Sequence, residues 1–120
     1  MKQLVRESLY EYLELPGKSQ DDIIMGLSKL YKSSKISKIE LNKNLLDAAR
    51  NGLIDVVEWL LSNEADINYK NNNGDTALHL AAIYGHNDLF HILFDAGADT
   101  KIKDIYGLTA ISYFISNRWK

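Results

Sequence analysis

Gly74-Asp75-Thr76-Ala77-Leu78-His79-Leu80-Ala81-Ala82 sets the architecture of this chain. The Thr76 hydroxyl is placed to accept a hydrogen bond from a backbone N–H in the first turn of a helix, so it reads as a cap. Ala77, Leu78, Ala81 and Ala82 give that helix a narrow face of small residues on which a neighbouring helix can lie close. Gly85 ends it, since glycine enters left-handed backbone without a steric penalty. A second helix is expected over about Asp88 to Ala96, with Leu89, Ile92, Leu93 and Phe94 as a broad apolar face and Gly97 in the turn beyond its end. The unit is a helix pair.

The pair recurs. Gly74 and Gly107, Thr76 and Thr109, Ala77 and Ala110, and Asn71 and Asp104 all stand 33 residues apart. So do Gly52 and Gly85, Ala48-Ala49 and Ala81-Ala82, and Ala65-Asp66 and Ala98-Asp99. That many matches at one spacing mark an internal repeat, whose units bury their apolar faces by stacking on each other. Between helix pairs, Asp99 to Thr109 alternates Ile102 and Ile105 around a turn-forming Asp104 and Gly107, which suits a projecting hairpin-like loop.

The period, together with Asp75-Thr76-Ala77-Leu78-His79-Leu80-Ala81-Ala82, Tyr84-Gly85-His86 and Ala96-Gly97-Ala98-Asp99, resembles the ankyrin repeat over roughly Leu41 to Lys120. The resemblance implies an all-α fold, a short solenoid of helix-turn-helix units with projecting loops. It divides the segment into an N-terminal capping unit over 41–70, a full repeat over 71–103 and a truncated repeat over 104–120. The first unit keeps Leu45, Leu46, Ala48 and Ala49 in one helix and Val56, Val57, Trp59, Leu60 and Leu61 in the next. It carries Leu41 and Lys43 where the family has Gly and Thr, and Leu53 where it has His. The last unit opens well with Tyr106-Gly107-Leu108-Thr109-Ala110-Ile111, but Ser112 replaces His and Arg118 stands in the place of Gly, so it reads as half a repeat.

Residues 1–40 read as a two-helix segment divided at Pro16-Gly17, because proline disfavours helix before itself and cannot continue one. Val5, Leu9, Tyr12 and Leu13 have the spacing of an amphipathic helix. Ser19 and Asp22 then resemble a capping box ahead of Ile23, Leu27, Leu30 and Tyr31. Lys32 to Ser37 reads as a loop, and the secondary structure of Ile36, Ile39 and Leu41 stays open. Val5, Leu9, Leu13, Ile23, Leu27 and Leu30 are expected to pack on the first unit and extend its core.

A chain of 120 residues with 46% apolar side chains suits one domain with a small added segment. With 14 Lys and Arg against 16 Asp and Glu, the net charge of −2 supplies no general field for nucleic acid or anionic lipid. There is no cysteine, which excludes disulfides, thiolate metal sites and cysteine nucleophiles. No secretory signal and no apolar stretch of ~20 residues is visible, and the expected location is cytoplasmic.

His79, His86 and His91 with Asp75, Asp88 and Asp95 contain the residue types of a metal or acid–base site. The resemblance instead implies that His79 and His86 hydrogen-bond neighbouring loops, with His91 on an exposed helix side. Ser112 near His79 is the nearest nucleophile candidate and has no visible oxyanion donors. Gly74, Gly85, Gly97 and Gly107 are explained by turns and helix ends rather than a phosphate loop. No catalytic, cofactor-binding or metal-ligating residue is expected, no small-molecule substrate, and the chain is not read as an enzyme.

The basic concentration Lys29, Lys32, Lys35, Lys38 and Lys43, with Tyr31 among them, makes nucleic-acid contact an alternative, diluted by Asp21, Asp22 and Glu40. The mixed charge of Lys2 to Leu15 argues against a membrane. Ankyrin proteins bind protein partners through loop tips and the concave face of the first helices. The matching positions are Arg50, Asn51, Lys70, Asn72, Asn73, Asp75, Ile83, Tyr84, Lys103, Ile105, Tyr106 and Leu108. Tyr84 and Tyr106 are the expected anchors, because interfaces favour aromatics. The competing roles are structural, with Ile105 and Leu108 folding back on the last unit and Trp119 covering its end. The function read from this is non-catalytic protein binding, as adaptor or inhibitor, and the alternative is a homo-oligomer using the same stripe.

Overall fold

The computed structural model describes residues 19–33 and 36–118. Its helices are α1 (Gln20–Lys32), α2 (Lys38–Arg50), α3 (Ile54–Ser62), α4 (Ala77–Ile83), α5 (Asn87–Asp95) and α6 (Ala110–Arg118), with no strand among the described residues. The helix expected before Pro16, Lys35 and Trp119 lie outside them.

Side-chain caps start four of these helices, with Thr109 Oγ1 accepting from the Ser112 N–H at 3.3 Å for α6. Ser19 Oγ accepts from the Asp22 N–H at 3.2 Å while Asp22 Oδ2 accepts from the Ser19 N–H at 3.3 Å, the reciprocal pair expected for α1. Ser37 Oγ accepts from the Glu40 N–H at 3.2 Å for α2, and Thr76 Oγ1 from the His79 N–H at 3.4 Å for α4. The second helices α3 and α5 follow Leu53 and His86, neither of which caps with its side chain. For α3 the missing acceptor comes from another helix: Gln20 Oε1 of α1 takes the N–H groups of Asp55 at 2.7 Å and Val56 at 3.2 Å.

The helices stack in two rows. α2, α4 and α6 follow one another along one row, α3 and α5 pack behind α2 and α4, and α1 packs on α3. α1 thus stands on the outer row where the second helix of a preceding unit would stand. Tyr31 meets the Trp59 ring edge-on at 6.1 Å. Ile23, Leu27 and Ile36 share one continuous core with Leu45, Leu60, Leu78, Leu89 and Leu93. Ala48, Ala49, Ala81 and Ala82 are buried and let the inner helices approach. The region left open by pattern is resolved: Ile36 and Leu41 are buried, Ile39 is exposed, and α2 begins at Lys38, so the chain crosses position 40 inside a helix.

Two expectations need correction. The buried face of α5 is Leu89, Phe90 and Leu93, whereas Ile92 is only partly buried and Phe94 is exposed. Phe90 points toward α6 and stacks on Phe114 with centroids 4.2 Å apart, a contact that helical spacing does not reveal. The segment Asp99 to Thr109 is made of turns rather than a hairpin ladder. The N–H of Asp104 donates to the Leu108 carbonyl at 3.0 Å, and that of Ile105 donates to the Asn73 carbonyl of the preceding loop at 3.0 Å.

Candidate functional site

The loop tips are held by a device that repeats with the sequence period. Asn71 Oδ1 accepts from the N–H groups of Asn73 at 2.9 Å and Asp75 at 3.0 Å. One repeat later, Asp104 Oδ1 accepts from Tyr106 at 3.0 Å and Leu108 at 3.1 Å. Short side-chain acceptors at these two positions wrap each loop into a turn. The histidines tie the loops to the helices: His79 Nε2 donates to the Leu108 carbonyl at 3.0 Å, and His86 Nε2 to the Arg50 carbonyl at 2.7 Å. The Thr76 N–H donates to His79 Nδ1 at 3.2 Å, so Nδ1 carries no proton and Nε2 does.

Close approach fixes two glycines. Gly74 has φ +76°, and a Cβ there would stand 3.0 Å from the Asp104 Cα. Gly52 has φ +69°, and a Cβ there would fall 2.6 Å from the His86 ring. In the last unit Ser112 only reaches back to Thr109, 3.1 Å away, while Tyr113 takes over the inter-loop role by donating its hydroxyl to Asp104 Oδ2 at 2.5 Å.

Asp75, His79 and Asp104 are the only trio of ligand-type residues that converges among the described residues, with candidate ligand atoms within 4.8 Å of one another. His86, His91, Asp88 and Asp95 do not join them. Both ring nitrogens of His79 and both oxygens of Asp104 already hold hydrogen bonds, leaving Asp75 Oδ1 as the atom without a partner. The arrangement is that of a loop clasp. Burial pushes the Asp75 carboxyl up to about 6, and the neighbouring Asp104 adds to the rise. Burial also works to raise Asp104, but the hydrogen bonds from Tyr113 and the Leu108 and Tyr106 N–H groups outweigh it and hold that carboxyl below its ordinary value. The bond to Asp104, then burial, pushes the Tyr113 hydroxyl up to about 12.

The raised Asp75 carboxyl makes the stability of the fold depend on pH. Its folded value lies above its unfolded value of 3.8, so its contribution to stability is complete below about 4 and is lost as pH rises through about 6. Asp75→Asn keeps the shape without the charge. It should raise stability at pH 7 by about 1–2 kcal/mol, discounted for partial solvent screening, and bring no gain near pH 4. Urea titrations at the two pH values check this, and an equal effect at both would remove the charge as the cause.

The structure distributes the expected contact residues unevenly. Asp75 is only 7% exposed and belongs to the clasp, so it is withdrawn as a contact residue. Asn51 turns its amide back to the Asp47 carbonyl at 2.8 Å, and Ile83 is partly buried. Lys70, Asn72, Asn73 and Lys103 are exposed, as are Tyr84, Ile105, Tyr106 and Leu108, with Tyr106 reaching 73%. Ile111 and Ile115 on α6 are exposed as well and were not anticipated. Of the basic segment, Lys29, Lys32, Lys38 and Lys43 are exposed, and Lys38 Nζ lies 3.8 Å from Glu64 Oε1, a surface pair of little energetic weight.

A groove of about 390 Å³ opens between α2 and the loop over 69–72, lined in part by Lys43, Asn44, Asp47, Arg50 and Lys70. Sequence reasoning placed Arg50, Lys70 and Asn72 on the binding surface and Lys43 in the basic segment, but missed Asn44 and Asp47. Asn44 and Asp47 are polar residues buried on an inner helix, which only the structure shows.

The profile of the family described as ankyrin repeats (3 copies) matches residues 40–118. An ankyrin repeat-containing protein of Schizosaccharomyces pombe is 40% identical over 68 residues, covering 57% of this chain and 33% of that protein. The mitochondrial disaggregase of Homo sapiens is 44% identical over 70 residues, covering 57% of this chain and 10% of that protein. An ankyrin repeat domain-containing protein of Xenopus laevis is 33% identical over 97 residues, covering 79% of this chain and 11% of that protein. The chain therefore matches only a third or less of the length of these relatives. No helix among the described residues is long and apolar enough to cross a membrane.

Proposed function

The chain belongs to the ankyrin-repeat family, whose repeats generally mediate protein–protein interaction, and we propose that it binds a protein partner without catalysis, as an adaptor or inhibitor acting in the cytoplasm. The observation that carries this reading is the exposure of Tyr84, Ile105, Tyr106 and Leu108 on the α4 end and the last loop. Aromatic side chains held out on rigid turns are suited to partner contact, since ordering them costs little entropy and burying them releases much apolar surface. Arg50, Asn51, Lys70, Asn72, Asn73, Ile83 and Lys103 complete the proposed surface. Residues 1–40 act in this reading as a cap on the array over 41–120, with the unit boundaries given above.

Capture with the tagged chain and with a Tyr84→Ala, Tyr106→Ala double variant tests the reading. The double variant is expected to weaken partner binding by about tenfold or more, with melting unchanged because both side chains are exposed. Equal retention by both proteins would rule this surface out. A concentration-dependent dimer in light scattering that the double variant abolishes would favour self-association instead.

A further inference from the structure

The groove beside α2 has a chemistry different from the aromatic stripe. Glu40, Lys43, Asn44, Asp47 and Arg50 recur at i, i+3, i+4, i+7 and i+10, which places them along one helical face, and Lys70 approaches from the facing loop. Asp47 is engaged within the protein, its Oδ1 3.8 Å from Arg50 Nη1. Two donors are not engaged: Asn44 Nδ2, on a side chain 4% exposed, and Arg50 Nε are buried without an acceptor. Folded proteins rarely leave such groups unmatched; both atoms are shielded from solvent but sit on side chains that line the groove, so a small side-chain rotation is what would bring them to an acceptor from outside.

We propose that this groove takes an aspartate or glutamate carboxylate from an extended segment of the protein partner. The Asn44 amide and the Arg50 guanidinium supply donors to its two oxygens, and the Lys43 and Lys70 ammonium groups set the charge at its mouth. The inference rests on the protein-binding reading and specifies the partner's chemistry. A nucleic-acid backbone is a poorer occupant, because Glu40 and Asp47 on the same face and the net charge of −2 oppose a chain of phosphates.

Amide nitrogen–proton NMR reports directly on both donors, since the Asn44 amide and the Arg50 Nε–H give their own cross-peaks. The full chain is titrated to millimolar levels with a blocked peptide of alternating glycine and glutamate, with its glutamine counterpart, and with an oligothymidylate. The glutamate peptide is expected to move the Asn44 and Arg50 peaks saturably and the glutamine peptide to leave them in place. Asn44→Ala and Lys70→Gln should each weaken the effect by about fivefold, whereas a Lys29→Gln, Lys32→Gln variant should not. Lys70 is exposed, so its variant keeps the test valid if Asn44→Ala fails to fold. Absence of shifts, equal shifts with glutamine, dependence on Lys29 and Lys32, or tighter oligothymidylate binding at the same peaks would each overturn the proposal. Partner binding that still depends on Tyr84 and Tyr106 would then leave the broader reading standing.

Discussion

Replacing His79 with leucine is expected to lower the unfolding free energy by about 2–4 kcal/mol at pH 7, read from the urea midpoint at constant slope. The ring is 1% exposed and joins three parts of the chain. Its Nδ1 satisfies the Thr76 N–H at the start of α4, its Nε2–H satisfies the Leu108 carbonyl of the following loop, and its ring meets that of Tyr113 in an edge contact with centroids 6.1 Å apart. Leucine fills a similar volume, so the loss measures the two polar groups left without partners rather than an empty cavity. His86→Leu provides the comparison. Only one of its bonds, to the Arg50 carbonyl, is lost, and the site is half-buried, so water can replace part of it and the cost should fall near 1 kcal/mol. Equal costs for the two histidines would mean that the clasp around Asp104 does not hold the last unit to the full repeat.

The same residues explain how far sequence reasoning reaches. The Thr76 cap follows from a local rule, because a cap or a tight turn needs one residue type within three or four positions, and the 33-residue period is read by comparing the chain with itself, whereas the bonding roles of His79 and His86 came only with the family resemblance. The clasp was hidden because it depends on a distance across units: Asp75 looks like any polar loop residue until Asp104 and Tyr113 are brought to it. Phe90 and Phe94 show the same limit, since both fit an apolar stripe and only the position of Phe114 selects between them. The groove was half visible. Arg50 and Lys70 were found from their place in the repeat, whereas Asn44 and Asp47 on an inner helix look like ordinary surface until their burial is known. Gln20 capping a helix 35 residues away had no local signature at all.

Leu27→Ala is expected to destabilise the whole described fold by about 2–4 kcal/mol in a single transition. Leu27 is fully buried in the core shared with the first unit, and α1 also supplies the acceptor that α3 lacks at its own start. If α1 completes the outer row, truncating this leucine leaves a cavity between α1 and α3 that neither helix can close alone, and melting followed by circular dichroism and, in a Trp119→Phe background, by Trp59 fluorescence should shift together. Met25→Ala on the same helix is the control: its side chain is 59% exposed and its loss should change stability by less than about 0.5 kcal/mol. Two separated transitions, or a Leu27→Ala cost as small as that of Met25→Ala, would mean that α1 folds apart from the repeats. A single shifted transition makes α1 a structural part of the array, because Leu27 and the acceptor that Gln20 supplies to α3 then belong to the same cooperative core.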